Sequence, residues 1–191
     1  MTSLTRLRVW TLGVVVVVAV GGGWLASRSS NDNSDTAHLD TRVTFEQPSI
    51  ETNAAVTGDP LPDATVQNLA GDNITIASLI GRPMVINIWG STCGPCKKEL
   101  PGFAAAHAQY GDRVRFVGID YLPASDHEEA FARDKGVQYE LLYDGDGEFI
   151  NGAGVAAFPV TLFVDANGRI VRQTGQLDEA ELVAFIESDL L

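Results

Sequence analysis

The chain is short of cysteine, histidine and base. Only two cysteines occur in 191 residues, Cys93 and Cys96. Two cannot build the several bridges of a small disulfide scaffold. A zinc site would need two further ligands from His38, His107 and His127, which stand at no familiar spacing to that pair. Lys and Arg number 13 against 25 Asp and Glu, a formal charge of −12. Phosphate binding needs a basic face, so this balance argues against nucleic acid as a partner. It favours solubility and can steer basic partners. Acids are themselves absent from the first 31 residues.

That acid-free stretch carries Arg6 and Arg8 and then 19 uncharged residues, Val9 to Ser27. A bilayer span needs roughly 20 apolar residues, and basic residues before it favour a cytoplasmic N-terminus. Five consecutive valines near a Gly triplet make no amphipathic pattern, which argues against a buried soluble helix. Residues 1–28 are expected to be a signal-anchor. Ala19-Val20-Gly21 offers a small-x-small cleavage site, so a cleaved signal peptide stays open. Neither cysteine follows the run directly, which excludes a lipid on a leading cysteine. Either way the body is expected outside the cytoplasm, anchored to the cell membrane or secreted. Residues 29–57, rich in Ser, Asn, Asp and Thr, read as a flexible linker. A single domain is expected over 58–191.

Within it, "ATVQNL" (64–69) and "NITI" (73–76) alternate apolar and polar residues, as a hairpin does. "PMVINIW" (83–89) and "RVRFVGI" (113–119) read as buried strands. A helix is predicted from Gly94 to Tyr110, with Leu100, Phe103, Ala104 and His107 on one face and Pro101 kinking it. Residues 125–136 read as a helix with Ser125 as N-cap, Glu128 three residues on, and Gly136 as its stop. "DGDGEF" (144–149) resembles half a calcium loop but lacks the sixth-position Gly and the closing Glu, so a turn is expected. Asn167-Gly168 joins two strands within 160–175. A last helix (177–191) opens on Asp178 with Glu181 and buries Leu182, Phe185, Ile186 and Leu190. This order implies an α/β fold, a mixed sheet with helices on both faces.

In "STCGPCKKELP" (91–101), Cys93 stands just past a predicted buried strand, where a helix begins. Unpaired N–H groups there favour a thiolate, so Cys93 is expected to attack. Cys96, nearly one turn on, is expected to be more buried and to resolve a mixed disulfide. Pro95 suits an early helical position. A static bridge across two residues would stabilise little. A peroxidatic cysteine is a third reading, but Thr92 does not supply its pocket pattern. Glu99 lies three residues after Cys96 on nearly the same helical face. Ionised, it would raise cysteine pKa values; as a relay, it could move the proton of Cys96. Pro159 directly precedes a predicted strand and has no N–H to pair. His107 reads as an edge-of-core residue.

"INIWGSTCGPCKKELP", "GIDYLP" and "AFPVTLFVDANGRIV" resemble the TlpA/ResA-type branch of the thioredoxin superfamily, membrane-tethered thiol–disulfide oxidoreductases outside the cytoplasm. The resemblance covers 58–191 and implies a thioredoxin-like fold with a helix and strand inserted, which 121–143 could supply. It implies Cys93, Cys96 and Glu99 in the chemistry, with Pro101 closing the motif. It also implies a cis Pro159 facing the cysteines, with Phe158 presenting its backbone to an extended substrate. Thr92, Gly94 and Pro95 complete the substrate-binding rim. The redox group is the disulfide itself, with no cofactor. The implied partners are protein disulfide clients, such as apocytochrome c or its assembly factors, and a membrane thiol reductant as electron donor. Three positions depart from the pattern: Asn87 replaces a buried Asp, Thr92 an aromatic residue, and Gly90 a common Ala. Gly94-Pro95 is the dipeptide of thioredoxin, whose potential lies near about −270 mV, which tilts the expectation toward a reductant. A disulfide-donating oxidase and a non-catalytic client-binding module remain the alternatives.

Overall fold

The computed structural model describes residues 52–191. The expectations for the signal-anchor (1–28) and for most of the linker lie outside these residues. Residues 53–57, assigned to the linker by composition, belong to the folded body. The Asn53 side chain accepts from the Ala156 and Ala157 N–H groups and donates to the Ala157 carbonyl, while Val56 is buried.

Seven strands form one sheet: β1 (Thr65–Gln67), β2 (Asn73–Thr75), β3 (Met84–Trp89), β4 (Arg115–Asp120), β5 (Glu140–Tyr143), β6 (Val160–Val164) and β7 (Ile170–Thr174). Their spatial order is β2-β1-β5-β4-β3-β6-β7. β3 is parallel to β4 and antiparallel to β6, so the sheet is mixed, as expected. The helices are α1 (Gly94–Tyr110), α2 (Asp126–Asp134), α3 (Glu148–Gly152) and α4 (Glu179–Asp189). α2 and β5 are the expected central insertion.

Every residue of β3 is buried, as its near-continuous apolar sequence requires. Successive side chains point to opposite sheet faces. Met84, Ile86 and Ile88 therefore join one core with α3, while Val85 and Trp89 join another with α1 and α4. Asn87 shares the parity of Val85 and Trp89, which turns its amide toward α1. This alternation is what brings a polar group of the central strand to the site.

α1 has the expected bounds, but its buried stripe is rotated. Cys96, Glu99, Leu100, Phe103, Ala106 and Tyr110 are buried, whereas Ala104 and His107 are half-buried. The stripe runs through Cys96 and Glu99, which apolar periodicity alone passes over. Tyr110 then donates to Glu187 Oε1 at 2.6 Å and ties α1 to α4.

The short α3 was not expected. Asp144, read as part of a turn, is buried and accepts from the N–H groups of Phe149 (3.1 Å) and Ile150 (2.8 Å). Its carboxylate satisfies two N–H groups in the first turn of α3, whose N-cap is Gly147. The other caps match expectation. Ser125 accepts from the Glu128 N–H, Asp178 and Glu181 form a reciprocal capping box, and Gly136 and Gly168 hold φ of 90° and 83° where their elements end.

Candidate active site

β3 ends at Trp89, a turn closes with the Cys93 N–H donating to the Gly90 carbonyl, and α1 begins at Gly94. Cys93 is the N-cap of α1, with Pro95 in its first turn. Cys93 and Cys96 are joined in a disulfide with a Cα separation of 5.3 Å. Cys93 is half-buried, and Cys96 is fully buried at 0% exposure. The Cys96 N–H points at Cys93 Sγ at 3.3 Å. After reduction the same N–H, with the positive end of the helix, stabilises negative charge on Cys93. The two sulfurs are therefore unequal in access and in electrostatics.

Glu99 is 4% exposed. Its Oε1 accepts from Asn87 Nδ2 at 2.9 Å and its Oε2 accepts from the Leu177 N–H at 3.3 Å. Burial pushes its carboxyl from 4.5 up to about 7, against the smaller opposing effect of those two bonds. It also lines a cavity of about 500 Å³ between α1 and the segment entering α4, with Lys98, Gln176, Leu177, Asp178 and Glu181. A group that titrates near neutrality and borders such a cavity can exchange protons with water.

Thr92, Gly94 and Pro95 are exposed around Cys93, while Pro159 is buried and follows Phe158 through a cis bond. Cys93 and Phe158 both pack against the cluster that contains Cys96. Lys98 is exposed and Lys97 half-buried, its ammonium 5.8 Å from the Phe131 ring.

Sequence reasoning missed a second group of residues beside Cys93. Glu128 was read through its place in the α2 cap, but its carboxylate crosses to the cysteine loop. Its two oxygens accept from the Ser91 hydroxyl at 2.6 Å and the Ser91 N–H at 3.0 Å. Asp120, at the end of β4, is fully buried, and Glu128 acts on its carboxyl. Burial first, and Glu128 second, push Asp120 from 3.8 up to about 8. For Glu128, the upward push of burial is outweighed by the two bonds from Ser91 together with the influence of Asp120, leaving it below its ordinary value. Tyr121 was also missed, although it lies within "GIDYLP". Its hydroxyl is 2.6 Å from Thr92 Oγ1, and its ring stacks on Phe158 at 4.4 Å. No local periodicity marks Glu128 or Tyr121, because Ser91 and Thr92, which they meet, lie 37 and 29 positions away.

Residues 57–173 match the AhpC/TSA family. The chain belongs to that family. It is 25% identical over 140 residues to the thiol-disulfide oxidoreductase ResA of Geobacillus thermodenitrificans, covering 72% of this chain and 80% of that one. The structure of MTB dsbF, in mixed oxidised and reduced forms, aligns with TM-score 0.60 at 26% identity, covering 67% of this chain and 96% of that one. A secreted Mycobacterium tuberculosis disulfide oxidoreductase homologous to E. coli DsbE aligns with TM-score 0.57 at 26% identity, covering 66% and 96%. The fold is thioredoxin-like. With a Cys-X-X-Cys pair closed at a strand–helix junction, the chain is a thiol–disulfide oxidoreductase of that type.

Proposed function

We propose that the chain reduces disulfides of protein clients outside the cytoplasm through the Cys93/Cys96 dithiol. The inequality of the two sulfurs carries this reading: Cys93 is reachable at a helix start, and Cys96 is fully buried. The Cys93 thiolate attacks a client disulfide, forms a Cys93–client mixed disulfide and releases one client thiolate. Cys96, once deprotonated, attacks the Cys93 sulfur. The second client thiolate leaves and the Cys93–Cys96 bridge forms, so two electrons pass to the client. Glu99 takes the Cys96 proton and passes it to water through the cavity beside Leu177. Phe158 and Pro159, with Thr92, Gly94 and Pro95, form the docking rim, where an extended client segment pairs with the Phe158 backbone.

Residues 1–28 hold the domain at the membrane, as a signal-anchor or before cleavage, and a membrane dithiol re-reduces the bridge. The clients include apocytochrome c or its assembly factors. The ResA relative supports this branch of function. The secreted disulfide oxidoreductase at TM-score 0.57 favours a second reading, a donor of disulfides to exported proteins. A redox titration of the pair decides the direction. A potential near that of thioredoxin, about −270 mV, supports the reductant, and one near or above about −150 mV overturns it. Cys93→Ser decides between enzyme and binding module: turnover is lost in the first case, and client binding persists in the second.

A further inference from the structure

The geometry points to Tyr121 as a specificity-determining residue of the docking rim, selecting polypeptide disulfides with an aromatic or large apolar side chain beside the client cysteine. This rests on the exchange reaction proposed above. Most of the rim was legible as short motifs; Tyr121 reaches it from the loop after β4. Its backbone N–H donates to the Trp89 carbonyl at 3.0 Å, which fixes the residue beside the end of β3. Its side chain is then held by three separate contacts. The ring lies against Gly90, where an added Cβ would come within 2.6 Å of Tyr121 Cε1. The ring face stacks on Phe158 at 4.4 Å with 25° between planes. The hydroxyl meets Thr92 Oγ1 at 2.6 Å.

Those contacts join the two chain segments that bound the rim. Thr92 directly precedes Cys93, and Phe158 directly precedes the cis Pro159. One side chain therefore sets the spacing between the cysteine loop and the proline loop. Thr92 is exposed, and Tyr121, Phe158 and Cys93 are each half-buried, so none of the three is closed off from solvent; Cys93 and Phe158 pack on the same cluster. Two stacked rings form a rigid apolar platform, a surface on which another aromatic or large apolar side chain gains contact. A client segment paired with the Phe158 backbone lays its neighbouring side chains along this platform. Glutathione disulfide has no apolar side chain to place there. The departures from the family pattern at positions 90 and 92 then form one unit with Tyr121. Gly90 makes room for its ring, and the small Thr92 shares a hydrogen bond with its hydroxyl that an aromatic side chain at that position could not make in the same way.

Pre-reduced full-length protein is mixed with two synthetic disulfide peptides, differing only in Phe or Ser beside the cysteine, and with glutathione disulfide. Rates are read over a range of concentrations to separate saturation from the maximal rate. Wild type is expected to prefer the Phe peptide by about fivefold, mainly through tighter saturation. Y121A is expected to erase that preference. Y121F, which keeps the ring, is expected to reduce it, T92V to match Y121F, and the double variant to be no worse than either. Wild type inert to all three disulfides overturns the exchange reading and this inference with it. Wild type that reacts equally with both peptides, or a folded Y121A that keeps the preference, overturns this inference alone. The potential of the cysteine pair in Y121F is expected to equal that of wild type. A shifted potential with unchanged peptide preference assigns Tyr121 to the cysteine chemistry and also overturns it.

Discussion

Asn87 Nδ2 donates to Glu99 Oε1 across 2.9 Å, linking the middle of the central strand to the helix that carries both cysteines. Asn87 is 1% exposed and Glu99 4%. An amide at position 87 cannot titrate, so the proton of this buried pair belongs to Glu99 alone. Removal from water outweighs the two hydrogen bonds it accepts and moves the carboxyl up to about 7.

Glu99→Gln is expected to remove a pH dependence from both stability and rate. The folded pKa, about 7, lies above the ordinary 4.5, so the folded state holds this proton more tightly than the unfolded chain. Its contribution is complete below pH 4.5 and is lost as pH rises through 7. Thermal midpoints of wild type should fall across that window more steeply than those of the variant. If Glu99 moves the Cys96 proton, resolution of a mixed disulfide should slow by about 10²-fold and lose its inflection near neutrality. Stopped-flow exchange between pH 5 and pH 9, set beside the same series for wild type, reads both effects. Identical profiles would remove Glu99 from the chemistry.

Asp120→Asn is expected to stabilise the protein in alkali. Asp120 is raised from 3.8 to about 8, so its contribution is present below pH 3.8 and lost as pH climbs through 8. Above that pH wild type buries two adjacent carboxylates, each unit of pKa difference being worth about 1.4 kcal/mol. Asn stays neutral at every pH and keeps an oxygen for the Leu122 N–H, which donates to Asp120 Oδ1 at 2.8 Å. Melting curves at pH 6 and pH 9 should show a loss in wild type that is smaller in the variant. An equal loss in both would place the alkaline weakness elsewhere.

Strands, helices and the paired cysteines were legible because each rests on local chemistry. β3 is buried on both faces and reads as an apolar run, and α1 begins where Cys93 and Pro95 favour a helix start. Caps at Ser125 and Asp178 were legible for the same reason. Less legible were features whose partners are distant in sequence. Glu128 contributes to its own helix cap, which hid its use by Ser91, 37 residues earlier. Gly90 reads in the sequence as a replaced Ala, whereas the Tyr121 ring occupies the space a methyl would take. Asp144 lies in "DGDGEF", which reads as a turn, yet its side chain turns inward and accepts from two N–H groups of α3.

Asp144→Ala is expected to destabilise the domain by about 1–3 kcal/mol, because two backbone N–H groups lose their acceptor inside the protein. Asp144→Asn, which keeps one carbonyl oxygen in place, should lose less. Urea unfolding of the three proteins reads the order. α3 contributes Phe149 and Ile150 to the core on the side of the sheet away from α1, so exchange kinetics at Cys93 should change little while stability falls. Equal stability of wild type and the Ala variant would mean that the cap contributes nothing.

Gly90→Ala tests whether the glycine exists to accommodate Tyr121. A methyl there would sit 2.6 Å from Tyr121 Cε1 and 2.7 Å from Cζ, inside contact distance. Retreat of the ring would disturb its stack on Phe158 and the contact of its hydroxyl with Thr92. The single variant should therefore lose about 1–3 kcal/mol through overpacking. In a Tyr121→Ala background the three ring atoms nearest to that methyl are gone, and most of that loss should vanish. The difference between the two backgrounds, a coupling of about 0.5–3 kcal/mol from a double-mutant cycle, measures how tightly the two positions depend on each other. Additive losses would show that Gly90 serves the backbone turn before Cys93 and not the ring.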